Sequence, residues 1–244
     1  MLDYVERLTR TNDIHLAWKI HCEAMARFGF DRLLYACNRF GDQGLRGSPD
    51  DYLLLSNHPA GYLEGYIGRR LYLHAPFYKW ALQNTGARSW GSIAPEEMTE
   101  GARAAVEFNH DFGIVAGYTI SFPVYSPMTR ALISMAAREG LSQAELDELW
   151  ERDGRTISAM CQVLHLTVLQ LPYPVRRPLT ARQREVLEWV GAGKTTQDIA
   201  QIMGLTATTV EKHLRLAREA LGVDTTAQAV LKASLQNQIF QLSA

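Results

Sequence analysis

The stretch LTARQREVLEWVGAGKTTQDIAQIMGLTATTVEKHLRLAREALGV, residues 179–223, decides the fold of the C-terminal part of the chain. Apolar residues recur there every three or four positions in three segments, a spacing that puts them on one face of a helix. Glycine-containing turns separate the segments, and threonines precede them where helix caps belong. The pattern predicts helices that begin near Thr180, Thr196 and Ala207, with a fourth over Thr226–Leu235. Two short helices joined by a glycine-containing turn predict a helix-turn-helix.

The third of these helices, Ala207–Leu221, has a polar and basic outer face. Such a helix fits the major groove of DNA, where Lys and Arg can pair with guanine edges. Threonine hydroxyls and Arg218 are expected at phosphates, which position a protein without specifying sequence. The predicted DNA-binding residues are Thr208, Thr209, Glu211, Lys212, Arg215 and Arg218. From charge alone, a small helical bundle with a solvated charged face is an equal alternative.

Composition bounds the class of protein. The chain has 244 residues, 47% hydrophobic and 21% charged, with a formal net charge of −1, which predicts a globular protein and excludes a uniformly basic coat. Residues 176–244 hold nine basic and six acidic residues, so that part is +3 and the remainder −4, which favours two domains with different partners. Three widely spaced cysteines indicate a reducing cytoplasm. The sequence shows no signal peptide and no apolar run of the roughly 20 residues that a membrane helix needs.

A proline-rich segment, LPYPVRRP over residues 171–178, divides the chain. Three prolines in seven residues stop a helix and cannot join a sheet interior. The segment predicts a first domain over 1–171, a linker over 172–178 and a helix-turn-helix domain over 179–244. The expected fold class is α+β, with an N-terminal α/β/α sandwich around an antiparallel sheet and a C-terminal four-helix helix-turn-helix domain.

The N-terminal domain mixes helical and strand-like periodicities. Asn12 or Asp13 is expected to cap its first helix, Ser142 and Glu145 form a capping box at the last, and Gly154 marks a candidate kink. Helices are predicted over 13–28, 59–73, 77–82, 96–112 and from 142 toward 171, and strands over 32–39, 52–55, 118–125 and 131–136.

Residues 179–223 strongly resemble the helix-turn-helix of LuxR-type transcription regulators. One position departs from the family pattern: Gln183 stands where Glu is usual, which keeps the hydrogen-bonding reach but removes the charge. The resemblance implies a DNA-binding transcription regulator. It is carried by Leu179–Thr180, Arg182, Val186–Leu187, Gly193–Lys194–Thr195, Ile199–Ala200, Thr209–Val210, His213–Leu214 and Leu221–Gly222–Val223.

The resemblance extends upstream. NHPAGY over residues 57–62, together with Ala75–Pro76, Gly113 and Gly117, is similar to the autoinducer-binding domains of quorum-sensing regulators that bind acyl-homoserine lactones. The resemblance implies a pocket for such a ligand. Without it, the aromatic residues of this set are better explained as ordinary core residues. The implied ligand-binding residues are His58, Tyr62, Tyr66, Ala75, Trp90 and Ser134.

Ala75 is the main departure within that pocket. Family members that bind acyl-homoserine lactones nearly always have Asp before this proline, and its carboxylate accepts the amide N–H of the ligand. A charge-assisted hydrogen bond contributes about 1.5–3 kcal/mol, so its loss costs a standard lactone roughly 10- to 150-fold in affinity. Three outcomes stay open: a lactone held by Ser134, His58 or water, another amphiphile that lacks the amide, or a domain that folds without ligand.

The resemblance also sets expectations about partners. Double-stranded DNA, a small-molecule signal, a second copy of the chain and RNA polymerase are expected, with no membrane and no cofactor besides the signal. A second interpretation is an inhibitory partner that dimerises with related regulators. An enzyme is not expected, because the sequence has no nucleophile elbow, P-loop or metal-ligand spacing, and its candidate side chains are scattered. Those side chains are Cys37, His58, His74 and His110.

Overall fold

The computed structural model describes residues 1–38, 52–123, 130–172 and 177–240. The chain forms two compact units, residues 1–169 and 170–244, and each is described by itself. Most of the proline-rich linker lies outside the described residues, as do the ends of the strands predicted over 32–39 and 118–125.

Within the described residues, an antiparallel sheet of five strands forms the centre of the first unit. The strands are β1 Phe30–Asn38, β2 Tyr52–Ser56, β3 Gly86–Ser89, β4 Gly117–Ser121 and β5 Arg130–Ala137. Their order in the sheet is β2-β1-β5-β4-β3, which confirms the predicted α+β class with an antiparallel sheet. The strand β3 was not predicted, because its four residues show no apolar alternation.

The two faces of the sheet differ in side-chain size. Successive residues of a strand point to opposite faces, so Tyr35 and Met135 share one face while Ala36 and Ser134 share the other. The first face is packed tightly: Tyr35 and Met135 are fully buried. The second face carries smaller side chains on β1, β4 and β5, and these leave room between the sheet and the helices that cover it.

Helices cover both faces, which confirms the α/β/α sandwich. The prediction of one helix over 59–73 is wrong. The helix that forms there ends at Gly68, and Arg70 adopts a left-handed conformation (φ 55°). A 3-10 turn follows at Leu71–Leu73. The N-terminal helix α1 was not predicted. The helices are α1 Leu2–Thr9, α2 Ile14–Ala26, α3 Tyr62–Gly68, α4 Pro76–Gln83, α5 Glu100–Asp111 and α6 Gln143–Gln170.

Side-chain caps fix the ends of these helices. The Asp13 carboxylate accepts the His15 N–H at 2.8 Å, which identifies Asp13 as the cap of α2. Glu145 accepts the Ser142 N–H at 2.9 Å, and the Ser142 hydroxyl accepts the Glu145 N–H in return, so the predicted capping box is confirmed. Helix α6 runs without a break through Gly154.

Four helices build the second unit around one apolar core. Three of them begin with a capping box, in which two backbone N–H groups are satisfied by side chains. Gln183 closes the first of these boxes, since its side-chain oxygen accepts the Thr180 N–H at 2.8 Å. This position therefore needs an acceptor rather than a charge. The helices are α7 Ala181–Gly191, α8 Thr196–Met203, α9 Ala207–Leu221 and α10 Thr226–Leu235.

Candidate functional site

A cavity of about 430 Å³ lies on the small-residue face of the sheet, under α3, α4 and α5. Ala36, Ser134 and Ala136 form part of its floor, and aromatic side chains form much of its walls. The structure brings all six predicted ligand-binding residues to this one cavity. They are His58, Tyr62, Tyr66, Ala75, Trp90 and Ser134.

The cavity wall has no charged side chain among the described residues. Its polar groups are tyrosines, histidines, Trp90, Asn109, Thr119 and Ser134. Ala75 caps α4 with an extended backbone, directly before Pro76 at the first helical position, and its methyl group faces the cavity with 8% of the residue exposed. No carboxylate elsewhere on the described wall replaces the missing aspartate, and no Lys or Arg side chain lines that wall.

A chain of three hydrogen-bonding groups crosses the cavity floor. The Trp90 indole N–H donates to the Thr119 hydroxyl at 2.9 Å, and the Thr119 and Ser134 hydroxyl oxygens lie 3.1 Å apart. Thr119 and Ser134 are paired across β4 and β5, so the register of the sheet sets this contact. Since Thr119 accepts from Trp90, its own proton can go to Ser134, whose proton is then free for another acceptor.

The position of Trp90 depends on a glycine in β4 and on hydrogen bonds between the preceding residue and α6. A Cβ atom at Gly117 would lie 2.7 Å from the Trp90 ring, so only glycine allows the indole to lie this close to β4. Ser89 donates to the Asp147 carboxylate at 2.8 Å, and Gln143 donates to the same carboxylate oxygen at 2.8 Å. The segment that carries Trp90 is therefore held against the start of α6.

Three aromatic rings stack along α3 and the segment before it. The His58 and Tyr62 rings lie 4.2 Å apart at 13°, and the Tyr62 and Tyr66 rings 5.3 Å apart at 16°. The spacing of four residues puts all three on one side of the chain. The Tyr62 hydroxyl donates to the Asn109 side chain at 3.0 Å. The Tyr66 hydroxyl has no hydrogen-bond partner within the described residues, and burial raises its pKa, so it stays protonated.

His58 is held in one orientation. Its Nδ1 lies 3.1 Å from the Leu33 carbonyl oxygen and 3.0 Å from the Ser56 hydroxyl. Burial lowers the pKa of His58 to about 4, partly offset by the hydrogen bond to Leu33, so the ring is neutral at physiological pH. A carbonyl oxygen can only accept, so Nδ1 carries the proton and Nε2 keeps its lone pair.

Sequence reasoning missed several wall residues. Thr119 and Asn109 stand beside the predicted ligand residues, as do three tyrosines, Tyr52, Tyr72 and Tyr78. Strand alternation around Ser134 could have indicated Thr119 once the pairing of β4 with β5 was known. Nothing local in the sequence indicates that the three tyrosines share a cavity.

The predicted DNA-binding residues lie along α9. Thr208, Glu211, Lys212 and Arg215 are exposed, as expected for a groove-facing surface. Glu211 also accepts a hydrogen bond at 2.8 Å from Thr196 of α8.

Two of the predicted DNA-binding residues are less accessible. The Thr209 N–H donates to the capping hydroxyl of Thr206, and its own hydroxyl oxygen lies 2.9 Å from that oxygen. The half-buried Arg218 donates to the Thr226 hydroxyl at 2.9 Å and so connects α9 to α10. An ion pair joins Arg215 to Glu219, but both side chains are more than half exposed, so it is weak.

Two other kinds of feature were sought in the described parts of the chain. No cluster of three or more His, Cys, Asp or Glu side chains that could hold a metal ion occurs there. Within the same residues, no helix combines the length and apolarity needed to cross a membrane.

Comparison with known proteins assigns both units. Residues 13–168 match the family model of the autoinducer binding domain, and residues 177–233 match that of bacterial regulatory proteins of the luxR family. The transcriptional activator protein BjaR1 of Bradyrhizobium diazoefficiens is 27% identical over 237 residues, which cover 95% of this chain and 93% of that protein. The fold is similar to that of Escherichia coli SdiA, with a TM-score of 0.54 and 16% identity over 98% of both chains. SdiA in complex with octanoyl-rac-glycerol matches with the same TM-score and identity, over 96% of this chain and 93% of that one.

Proposed function

Because the chain belongs to the luxR family of bacterial regulatory proteins and carries an autoinducer-binding domain, we propose that it regulates transcription in response to a small amphiphilic molecule held in its N-terminal cavity. An acyl-homoserine lactone or a related amphiphile of similar size is the expected ligand. The helix-turn-helix supplies the contact with DNA, and ligand binding changes the strength of that contact.

The cavity is the observation that carries this proposal. Its volume of about 430 Å³ lies in the usual range for small-molecule sites, roughly 300–1,000 Å³. Its wall is mainly apolar and aromatic with a few converging polar groups, which suits a molecule with an acyl chain and a compact head. The complex of SdiA with octanoyl-rac-glycerol supports an uncharged amphiphile as ligand of a domain with this fold.

The active form is proposed to be a homodimer in the cytoplasm. One helix-turn-helix covers only a half-site, and a two-fold dimer places two recognition helices about one helical turn of DNA apart, roughly 34 Å. The free thiols of Cys22, Cys37 and Cys161 are compatible with a reducing compartment. RNA polymerase is the further partner that a transcription regulator of this kind would contact.

Mass spectrometry of the purified full-length chain tests the ligand, and an electrophoretic shift with a palindromic promoter fragment tests DNA binding. An amphiphile should co-purify, and its addition should change the affinity for the palindrome but not for a scrambled fragment. The absence of any amphiphile effect on either assay would contradict the proposal.

The inhibitory alternative predicts a different result. A chain that only blocks related regulators should not bind the palindrome by itself, with or without ligand. The exposed Lys212 and Arg215 on α9 support direct binding instead.

A further inference from the structure

We propose, resting on the ligand cavity of the proposed function, that the ligand is an uncharged amphiphile whose head group carries a hydroxyl beside a carbonyl, and that His58 Nε2 accepts the hydrogen bond of that hydroxyl.

Among its described residues, the wall offers no carboxylate, ammonium or guanidinium group to pair with a charged head group. No Asp, Glu, Lys or Arg side chain lines the cavity among the described residues. An ion that leaves water for an apolar site without an opposite charge loses several kcal/mol of solvation in practice. A fatty acid carboxylate or a protonated amine would therefore bind poorly. The uncharged ester of the same fatty acid would bind well.

His58 supplies an acceptor at the wall. Its Nδ1–H is used by the Leu33 carbonyl, so Nε2 is the nitrogen with a lone pair. No described residue donates to Nε2. Stacking on Tyr62 with ring centroids 4.2 Å apart fixes the ring plane. A ligand that covers this nitrogen without offering a donor would leave the acceptor unsatisfied, which is unfavourable.

Two hydroxyls supply donors for the other part of the head group. The Tyr66 hydroxyl has no partner within the described residues, and the Ser134 hydroxyl can turn its proton to a ligand when Thr119 donates to it. Both residues line the same cavity as His58. Two donors and one acceptor complement a carbonyl oxygen and a neighbouring hydroxyl, as in a polyol ester or a hydroxyketone.

The test compares four probes with one acyl chain, using the full-length protein and thermal shifts or calorimetric affinities. The probes are 2-hydroxyethyl octanoate, 2-methoxyethyl octanoate, octanoate at pH 7.5 and N-octanoyl homoserine lactone. The methyl ether keeps the ester and the acyl chain but replaces the O–H donor with a methoxy group. We expect the hydroxy ester to bind about fivefold to tenfold tighter than the ether, the change that one net hydrogen bond gives. Octanoate should bind much more weakly than either.

His58→Phe tests the acceptor, since phenylalanine keeps a flat ring on Tyr62 but has no nitrogen. The preference for the hydroxy ester over the ether should fall to about one. His74→Phe makes the same change at an exposed position outside the cavity and should keep the wild-type preference. If His58→Phe does not fold, the wild-type ratio of hydroxy ester to ether still decides the proposal.

Each contrary result overturns a defined part. Octanoate that binds as tightly as the esters overturns the uncharged class. Equal binding of the hydroxy ester and the ether, or a preference that survives in His58→Phe, overturns the role of His58. A lactone that binds at least as tightly as the hydroxy ester overturns the hydroxyl head group and leaves the proposed function intact. If no amphiphile binds at all, the proposed function fails with it.

Discussion

The Trp90 indole nitrogen and the Thr119 hydroxyl oxygen lie 2.9 Å apart, a hydrogen bond that joins the segment after β3 to the middle of the sheet. Thr119 is almost fully buried, and it is also within hydrogen-bonding distance of Ser134. The bond therefore connects one wall of the cavity to its floor.

Thr119→Val should destabilise the N-terminal domain by about 1–3 kcal/mol. Valine has nearly the same shape but leaves the Trp90 N–H without an acceptor, and an unsatisfied buried donor costs about that much. The measurement is the urea midpoint of the full-length chain followed by tryptophan fluorescence. Ser134→Ala is the control, because it leaves the bond between Trp90 and Thr119 in place. Equal destabilisation by both variants would contradict the assigned role of Thr119.

Ala75→Asp should raise the affinity for an acyl-homoserine lactone, by up to about 3 kcal/mol, because the new carboxylate can accept the ligand's amide N–H. The free variant should be less stable than the parent, since the described wall offers no opposite charge. Thermal shifts of both proteins with lactones of several chain lengths check both effects. Ala75→Asn introduces a side chain of the same size as aspartate but without the charge, so it separates the effect on affinity from the effect on stability.

A parent protein that lactones already stabilise as strongly as the variant would show that another residue, such as Ser134 or His58, holds the amide. A variant that gains nothing from any lactone would point to a different ligand class or to a domain that needs no ligand.

Low pH should destabilise the fold through His21. Its Nδ1 lies 2.8 Å from the Tyr4 hydroxyl, and complete burial lowers its pKa from 6.5 to about 3. The unfolded chain therefore takes up a proton below about pH 6.5, whereas the folded chain does so only near pH 3. The stability is complete above pH 6.5 and falls as the pH drops through that window, by about 1.4 kcal/mol per pH unit for one proton.

Urea unfolding at pH 7.5, 6.0 and 5.0 measures this slope. Glutamine does not titrate, so in His21→Gln the slope of the unfolding free energy against pH should fall by the contribution of about one proton. His15→Gln, on the exposed side of α2, should keep the parent slope. An unchanged slope in His21→Gln would show that other groups cause the acid sensitivity, for instance His58, whose pKa burial lowers to about 4.

Arg215→Ala should remove discrimination between the operator and random DNA. Arg215 is exposed on α9, where a bidentate contact with guanine contributes about 1–3 kcal/mol of specificity. Titration of both DNAs by fluorescence anisotropy checks this. Arg182→Ala removes an equally exposed arginine from α7 and should leave the specificity unchanged. An equal loss of affinity on both DNAs would contradict the base-reading role.

Arg218→Ala should weaken binding to all sequences and reduce the salt slope by about one unit, as expected for one phosphate contact. The variant should also lose stability, because Arg218 donates to the Thr226 hydroxyl and thereby connects α9 to α10. Salt titrations of binding, with thermal melts of the free protein, separate the two effects. A salt slope equal to that of the parent would limit Arg218 to the structural role.

The sequence predicts the helix-turn-helix domain well because its signals are local. Threonine caps, glycine turns and a 3.6-residue period each act within a few residues, and the structure forms all four helices. The N-terminal domain is predicted less completely. The left-handed Arg70 ends a helical pattern that looks continuous, and β3 becomes a strand only by pairing with β4.

The candidate site, too, divides into features that local sequence predicts and features that depend on long-range pairing. The absence of a carboxylate at Ala75 is visible in the sequence. The absence of Asp, Glu, Lys and Arg from the described wall is not, because the wall is assembled from distant segments. The contact between Thr119 and Ser134 depends on the register of β4 and β5, which no local pattern sets.

The unequal faces of the sheet have an evolutionary consequence. The face that carries Tyr35 and Met135 is filled, so most changes in volume there strain the fold or open a void. On the other face, a larger residue at Ala36 or Ser134 would occupy cavity space before it met packed neighbours. Single substitutions on the cavity side can thus change the length and shape of the signal that fits, while the packed face that supports the sheet stays as it is.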